Sequence, residues 1–298
     1  MNYFIGIDGG GSKTKAILTN PDNKIVATHT GDSCNPTSLG IEHSTKSILD
    51  NIESLLQECQ ISISAVKGIC VGTAGAGSQN IAKQFEGILK TDLGTEDLLV
   101  TTDAQIALEG AFDGGEGIIL IAGTGSILYA KKGGKINRVG GFGKIMGDEG
   151  SGYKIGQKTL NEFSKYLDSR KQKDDFYFHL SEYLGIDSTQ HLIEKVYKEY
   201  FNIASIAGFV VDLANKNETA KMIINNAAVQ ILELISPIFE SKEDSLRIVL
   251  SGGLIDKENY YSNLIKNSIN SIYPNSEVID PVFPPEIGAI LIAKKHFE

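Results

Sequence analysis

The sequence predicts an α/β protein built from two copies of one topology, in which three strands are followed by alternating helices and strands. Two observations carry this prediction. Apolar runs and helical patterns occur in the same order in both halves of the 298-residue chain, and a glycine-rich turn follows the first strand of each half. Alternating strands and helices form sheets covered by helices, and a repeated order indicates duplication. We therefore expect two like domains that face each other across a cleft.

We place these domains at residues 1–113 and 114–298, with the final helix, residues 286–297, able to pack back on the first domain. Hydrophobic residues make up 41% of the chain and charged residues 22%, as in ordinary soluble globular proteins. The formal net charge of -9 argues against a nucleic-acid partner, because such partners need basic faces.

The cysteines and the N-terminus indicate where the protein acts. Three cysteines without CxxC spacing predict neither a disulfide framework nor a zinc site, and they favour the reducing cytoplasm. The chain begins directly with a strand, so a signal peptide is not expected. It has no apolar run of about 18 residues, so we expect no membrane partner.

The first half opens with a β-meander. Apolar runs predict strands at residues 3–8, 14–19 and 24–29, joined by a triple-glycine turn and a Pro-Asp-Asn turn. Apolar spacing then predicts, in order, a helix at 41–59, a strand at 66–71, a helix ending near 89, a strand at 98–102 and a helix at 104–111.

The second half repeats this order around an insertion. The predicted elements are strands at 117–122, 127–131 and 135–139, a helical insertion at 151–215, a helix at 218–239, a strand at 246–250, a helix at 260–272, a strand at 277–280 and a helix at 286–295. Apart from Gly208, which is discussed below, no residue of the insertion is assigned to chemistry. It is expected to complete the second domain or to form the face of a homodimer.

The triple-glycine turn predicts a phosphate-binding hairpin. Glycines let the backbone approach an anion closely, and Ser12 and Thr14 supply hydroxyl donors. Asp8 would repel a phosphate unless a cation lay between them, so it indicates Mg²⁺ held through water. The turn matches neither GxxxxGK[ST] nor a GxGxxG loop that opens a helix. An ordinary glycine-rich hairpin is the alternative.

Several motifs resemble those of the actin, heat-shock-ATPase and sugar-kinase superfamily. DGGGSKT at residues 8–14 is similar to its first phosphate motif, AGTGS at 122–126 to the second, and LSGGL at 250–254 to the adenosine motif. More narrowly, GGFG at 140–143 and GDEGSG at 147–152 resemble N-acetylglucosamine kinase and the related BadF-type ATPase family. The resemblance covers nearly the whole chain and implies two ribonuclease-H-like domains that bind ATP between them.

The resemblance also implies a set of ATP-binding residues. These residues are Gly10, Gly11, Ser12 and Lys13 on one side of the phosphates, Gly123, Thr124 and Gly125 on the other, and Gly208, Gly252 and Gly253 near the adenosine. Two of them have simpler interpretations. Gly208 is alternatively a helix interruption, and Lys13 a solvated hairpin lysine.

Asp103 is the candidate catalytic base and also contacts the substrate. It follows a parallel-type strand at the edge where open α/β sheets bind ligands, and the resemblance places the catalytic aspartate here. Phosphoryl transfer needs such a carboxylate to take the proton of the acceptor hydroxyl. The alternative is that Asp103 is the N-cap of the helix at 104–111.

The resemblance implies that further residues bind a sugar: Asn35, Gly140, Gly141, Phe142 and Asp148. Alternatively, Asp148 caps the helix that begins near Ser151, and Asn35 is a turn residue before proline. Phe142 stands where the animal enzymes carry tryptophan, and the loop at 73–77 also departs from their pattern. The identity of the sugar therefore stays open.

The leading hypothesis is an ATP-dependent kinase of an amino sugar, foremost N-acetylglucosamine at its 6-hydroxyl, with glucosamine and N-acetylmuramic acid as alternatives. A second hypothesis is a BadF-type ATPase that activates a partner enzyme through a bridging iron-sulfur cluster, as 2-hydroxyacyl-CoA dehydratase activators do. Such a cluster needs thiolates, yet the three cysteines are widely spaced and none follows Cys70. A regulator without chemistry is the third, although Asp8, Asp103 and Asp148 are retained.

Overall fold

The computed structural model describes residues 2–10, 13–172, 174–199, 201–241 and 243–298. Its contacts divide the chain into two compact units. Unit 1 comprises Met1–Gly117, Lys131–Ile136 and Asp280–Glu298, and unit 2 comprises Ile118–Ala130 and Asn137–Ile279. The domain boundary between residues 113 and 114 stays a prediction.

The strands form two sheets of five. In chain order they are β1 (Tyr3–Gly9), β2 (Lys13–Thr19), β3 (Ile25–Asp32), β4 (Val66–Thr73), β5 (Leu98–Thr102), β6 (Gly117–Ala122), β7 (Ser126–Lys132), β8 (Lys135–Gly140), β9 (Arg247–Ser251) and β10 (Glu277–Val278). The strand order is β3-β2-β1-β4-β5 in the first sheet and β10-β9-β6-β7-β8 in the second.

The α-helices of the described residues are α1 (Pro36–Leu39), α2 (Ile41–Cys59), α3 (Gln79–Leu93), α4 (Asp103–Ala111), α5 (Gly143–Met146), α6 (Gly152–Leu167), α7 (Asp175–Leu184), α8 (Thr189–Tyr197), α9 (Ile206–Leu213), α10 (Glu218–Leu232), α11 (Tyr260–Ile272) and α12 (Pro285–Phe297). Within the part of the chain that the structure describes, none of the helices is both long and apolar enough to cross a membrane.

The predicted α/β class and its duplicated order of strands and helices are confirmed. β1 pairs antiparallel with β2 and parallel with β4, and β4 pairs parallel with β5. The second sheet has the same order when it is taken from its other edge, and there β9 pairs parallel with both β6 and β10. Parallel neighbours need a crossover, and in both sheets helices provide it.

Alternation along β1 decides which side chains reach which face of the first sheet. Ile5 and Ile7 pack in a core that includes residues of α2 and α3, whereas Phe4 packs with residues of α4 and α12. Successive side chains of a strand point to opposite faces. Asp8 therefore lies on the face that α4 and α12 cover, and the C-terminal helix is part of the surroundings of the first phosphate motif.

Some predicted boundaries are corrected. The helix predicted at 218–239 ends at Leu232, and a short 3-10 helix, Ser236–Ile238, follows it. Pro237 has no N–H for a continuing α-helix, which accounts for the earlier end. The last strand is Glu277–Val278, shorter than the predicted 277–280, and β4 continues to Thr73 through residues that were predicted to be a loop. The insertion at 151–215 is helical, as predicted.

Candidate functional site

The first phosphate motif is a β-hairpin, as predicted. Gly10 N donates to Lys13 O at 3.0 Å, and Ser33 Oγ donates to Gly10 O at 2.9 Å. Lys13 is exposed at the start of β2. Two of the predicted ATP-binding residues, Gly11 and Ser12, lie outside the described residues. The hairpin is therefore held through its flanks, at Gly10 and Ser33.

Thr73 joins this hairpin to two other segments. It is fully buried at the end of β4, in register with Gly9 of β1 and Thr102 of β5. Its Oγ1 lies 3.6 Å from Cys34 Sγ, and it can donate to Cys34 O at 3.2 Å or to Ala74 O at 3.1 Å. One hydroxyl thus links the end of β4 to the loop that carries Asn35. The sequence analysis missed this role, although a hydroxyl residue closing a buried strand was visible.

Asp8 has two carboxylate neighbours. Burial, followed by the charges of Glu286 and Asp103, raises the pKa of Asp8 to about 6, and Lys15 and Lys13 oppose the rise. Glu286 has a side chain only 5% exposed and forms an ion pair with Lys15, which lies opposite Asp8 on β2. Glu286 was missed because it lies almost at the end of the chain. Its position in the first turn of a predicted helix was the available signal.

This arrangement fits a divalent cation. Mg²⁺ binds carboxylate oxygens, and a cation beside Asp8 would stabilise its ionised form against the burial and the neighbouring carboxylates that raise its pKa. Among the residues that the structure describes, no three His, Cys, Asp or Glu side chains form a metal-binding group. Asp8 could supply a protein ligand, with water and phosphate oxygens completing the shell, and Mg²⁺ at this residue stays a prediction.

Asp103 is the first residue of α4, and the prediction that it is the N-cap is wrong. Thr102 is the N-cap, because its hydroxyl accepts from Gln105 N at 3.1 Å. Asp103 Oδ1 accepts from Ala104 N at 2.8 Å, and the residue is exposed. Oδ2 has no hydrogen-bond partner among the described residues. The carboxylate is thus oriented by one bond and keeps one oxygen available.

Asn35 is the N-cap of α1. Its Oδ1 accepts from Thr37 N at 3.0 Å and from Ser38 N at 3.4 Å, so the side chain is fixed in direction. Thr37 Oγ1 donates to Gly75 O at 3.2 Å, which connects α1 to the loop after β4. No described residue accepts from Asn35 Nδ2. The capping role thus leaves the donor end of the amide available for a ligand.

In unit 2, the second phosphate motif is attached to the start of α6. Gly123 N donates to Gly125 O at 2.9 Å, closing the turn between β6 and β7. Gly152 N donates to Gly123 O at 2.8 Å, and Tyr153 N donates to Thr124 O at 3.1 Å. Helix α6 and the turn therefore keep a fixed relative position.

Asp148 lies against this turn. A Cβ atom on Gly125 would be 2.8 Å from Asp148 Oδ2, so only glycine fits there without displacing the carboxylate. Asp148 has a φ of 61°, is 8% exposed, and its side chain has no hydrogen-bond partner among the described residues. The prediction that it caps α6 is wrong, because Ser151 is the N-cap. Because no described residue donates to its carboxylate oxygens, they are available to a ligand that donates hydrogen bonds.

The loop around Asp148 is held by backbone acceptors. Tyr261 Oη is fully buried and donates to Gly150 O at 2.7 Å, and Ser126 Oγ donates to Glu149 O at 2.7 Å. These two bonds fix the loop on both the sheet side and the α11 side. The backbone around Asp148 is therefore held without any hydrogen bond from the Asp148 side chain.

The remaining predicted residues of unit 2 are also placed. Gly140 and Gly141 have φ values of 71° and 70°, and Phe142 is 66% exposed, with Arg138 over its ring at 5.7 Å. Gly208 lies inside α9, so its interpretation as a helix interruption is wrong.

The adenosine motif lies directly beside the second phosphate motif. A Cβ atom on Gly252 would be 2.6 Å from Ala122 O, the residue before Gly123, and Leu254 N donates to the same oxygen at 3.1 Å. Gly253 is exposed, with open space where a side chain would be. The structure thus brings Gly252, Gly123 and Asp148 to one edge of the second sheet.

Comparison with known proteins agrees with this geometry. Residues 5–293 match the sequence profile of the BadF/BadG/BcrA/BcrD ATPase family. The chain belongs to this family. Nearly the whole chain is matched, so both sheets with their glycine-rich motifs fall within the family's common region.

Individual relatives in the comparison are sugar kinases. The N-acetylmuramic acid/N-acetylglucosamine kinase of Clostridium acetobutylicum is 32% identical, covering 99% of both chains. The N-acetyl-D-glucosamine kinase of Dictyostelium discoideum is 28% identical, covering 97% of both. A crystal structure from Chromobacterium violaceum, assigned as an N-acetylglucosamine kinase, superposes with a TM-score of 0.73 at 25% identity and covers 98% of both chains.

Proposed function

We propose that this protein transfers the γ-phosphoryl group of ATP to the 6-hydroxyl of an amino sugar, foremost N-acetylglucosamine. The observation that carries the proposal is the Asp148 carboxylate, which is nearly buried and unpartnered among the described residues, on a loop that is held through its backbone. Ionised carboxylates accept strong hydrogen bonds from hydroxyl groups. The kinase relatives that align over nearly the whole chain support the same reaction.

Asp148 is proposed to fix the sugar by accepting hydrogen bonds from its hydroxyls. Asn35 Nδ2 would donate to another sugar oxygen, because the capping bonds of its Oδ1 leave the nitrogen facing away from the helix backbone. The bend at Gly140 and Gly141 and the exposed ring of Phe142 would complete the sugar-binding residues. Rings of this kind pack against the apolar faces of sugars and add contact area.

Asp103 is proposed to take the proton of the acceptor hydroxyl. Its Oδ1 accepts from Ala104 N, which fixes the carboxylate and leaves Oδ2 for that hydroxyl. As the oxygen attacks the γ-phosphorus, its proton passes to Asp103, the bond to the β-γ bridging oxygen breaks, and ADP leaves. The exposed position of Asp103 allows the proton to reach solvent after the reaction.

The residues proposed to bind ATP belong to the three glycine-rich motifs and to α9. The proposed residues are Gly10, Gly11, Ser12 and Lys13 of the first motif, Gly123, Thr124 and Gly125 of the second, and Gly208, Gly252 and Gly253 for the adenosine. Asp8 would hold Mg²⁺ through water. When bound, Mg²⁺ supplies charge neutralisation at the β- and γ-phosphates.

The alternative activator function is weakened by the placement of the thiols. Cys34 and Cys70 are fully buried, and burial raises the pKa of both thiols, so neither is suited to bind a shared cluster as a thiolate.

All three cysteines are free, which supports the proposal of a reducing compartment such as the cytoplasm. A homodimer remains a proposal.

A coupled assay of ADP release with a panel of sugars tests this function. N-acetylglucosamine, glucosamine, N-acetylmuramic acid and glucose are each supplied with ATP and Mg²⁺, and the product is identified by mass spectrometry and by the position of its phosphate. We expect a 6-phosphorylated amino sugar as the product. Glucose is the control, and we expect it to be phosphorylated only poorly. ADP release at the water background with every sugar would refute the proposal, and a brown, air-sensitive preparation would favour the activator.

A further inference from the structure

A groove of about 810 Å³ lies in unit 2 beside the loop that carries Asp148. It runs between α6 and α10, and Gly147 and Glu149, the two chain neighbours of Asp148, form part of its wall. Side-chain amides line it from both helices, with Gln157 and Asn161 on one side and Asn226 and Gln230 on the other. The groove therefore adjoins the loop that carries Asp148, although Asp148 itself is not one of its lining residues.

Lys154 is the side chain that gives this groove its chemistry. It is half-buried in the first turn of α6, and within the described part of the chain its ammonium group has no ion-pair or hydrogen-bond partner. Lys158, one turn later in the same groove, is bound to Glu162 at 3.0 Å. Two lysines thus line one groove, and the charge of Lys158 is compensated while that of Lys154 is not.

The carboxylate of Glu149 forms no ion pair with Lys154. Glu149 lines the groove, and its Oε2 is shielded from solvent without a hydrogen-bond partner among the residues described. The groove can therefore pair Lys154 with an anion brought by a ligand.

The N-terminus of α6 cannot supply this recognition. The first backbone N–H groups of the helix already have acceptors, because Gly152 N donates to Gly123 O, Tyr153 N to Thr124 O and Lys154 N to Ser151 Oγ. An anion in the groove would have to be bound by a side chain. Lys154 is the lining residue that is both charged and available.

We infer that Lys154 and this groove select amino sugars that carry a carboxylate on an arm of the ring, as N-acetylmuramic acid does. This inference rests on the proposed function, since Asp148 must hold the sugar for its arm to reach the groove. Lys154 would pair with the carboxylate, and the amides would bind the ether oxygen of the arm. Without an arm, as in N-acetylglucosamine, the groove stays filled with water, so the two sugars differ only in the contacts of the arm.

The test compares N-acetylmuramic acid, its methyl ester and N-acetylglucosamine as substrates of the full chain. The ester keeps the arm and removes the charge. In the wild type we expect a lower KM for the acid than for the ester. Lys154→Met should raise the ratio of KM for the acid to KM for N-acetylglucosamine about tenfold, as for the loss of one charge-assisted hydrogen bond. Lys154→Arg should restore most of the preference.

Lys158→Met is the matched control, because it removes the same charge from the same groove. Glu162 keeps Lys165 at 2.8 Å and Lys171 at 3.3 Å, so the KM ratio should change less than about twofold. If both variants change the KM ratio equally, the effect comes from the total positive charge of the groove and not from Lys154, and the inference is overturned. So would phosphorylation of N-acetylglucosamine with no use of the acid, or an unchanged ratio in Lys154→Met. No phosphorylation of any sugar would refute the proposed function, and the inference with it.

Discussion

The candidate residues of the two units are held in place by different means. In unit 1, Asp8 senses the charges of Asp103 and Glu286, and Glu286 is in turn paired with Lys15. In unit 2, Asp148 has no charged partner among the described residues, and its loop is fixed through backbone oxygens by Tyr261 and Ser126. Removing a charge in unit 1 should therefore alter the electrostatic environment of the neighbouring charged residues. Removing the charge of Asp148 should affect no other charged residue.

The same difference between the units separates the effects of a mutation on stability from its effects on function. A carboxylate that forms ion pairs or caps a helix stabilises the fold, and its removal costs free energy of unfolding. A buried carboxylate without a partner destabilises the fold, and its removal costs nothing or stabilises. The two units can thus be distinguished by measuring turnover, substrate affinity and unfolding on the same variants.

The largest effect is expected at Asp103. Asp103→Asn keeps an oxygen that can accept from Ala104 N, but it removes the proton acceptor. We expect turnover to fall about 10²- to 10⁴-fold, while ATP affinity stays near that of the wild type, because a base acts mainly in the transition state. Steady-state kinetics together with nucleotide titration by calorimetry would measure both.

Thr102→Ala is the matched control for Asp103. It removes the N-cap of α4 and should cost about 1 kcal/mol in the free energy of unfolding, with a much smaller loss of turnover. If Asp103→Asn instead weakens ATP binding as much as it slows turnover, the residue serves the nucleotide or its metal, and the assignment as base is wrong.

The next effect is expected at Asp148. Asn tolerates positive φ values, so Asp148→Asn keeps the backbone and removes only the charge. We expect KM for the sugar to rise about 10- to 100-fold, the loss of one or two charged hydrogen bonds, with little change in KM for ATP. The free energy of unfolding should stay equal or increase, as measured by urea denaturation.

Ser151→Ala separates the two explanations for Asp148. It removes the actual cap of α6, so it should lower the free energy of unfolding by about 1 kcal/mol and change KM for the sugar less. An Asp148→Asn variant that lost stability at unchanged sugar KM would mean that the carboxylate is structural, and the contrast between the units would disappear.

Local sequence patterns predicted the fold class and most element boundaries, because the periodicity of apolar residues and the glycine-rich turns are properties of short segments. They did not predict Glu286, which reaches Asp8 only after the C-terminal helix packs on the first sheet, or Thr73, which acts across strands. They also misassigned the caps, because both Thr102 and Asp103 suit an N-cap, and backbone geometry selects the threonine. These roles depend on contacts between residues that are distant in the sequence, and the spacing of residues along the chain does not reveal such contacts.

The smallest effect concerns the charge neighbours of Asp8. Its folded pKa, about 6, is above the ordinary value of 3.8, so between these values the folded state binds more protons than the unfolded state. The stability that Asp8 contributes is therefore fully present below about pH 4 and lost as pH rises through about 6. The free energy of unfolding of the wild type minus that of Asp8→Asn should fall by about 2 kcal/mol from pH 4 to pH 7, measured by urea denaturation without Mg²⁺.

Two further measurements sharpen this prediction. Lys15→Met removes a charge that favours ionised Asp8, so the decline should move to higher pH. Saturating Mg²⁺ should reduce the decline, because a cation beside Asp8 favours the same ionised form. A difference between wild type and Asp8→Asn that is constant across this pH range would show that neither burial nor the charges of Glu286 and Asp103 raise the pKa of Asp8, and the contrast with Asp148 would be lost.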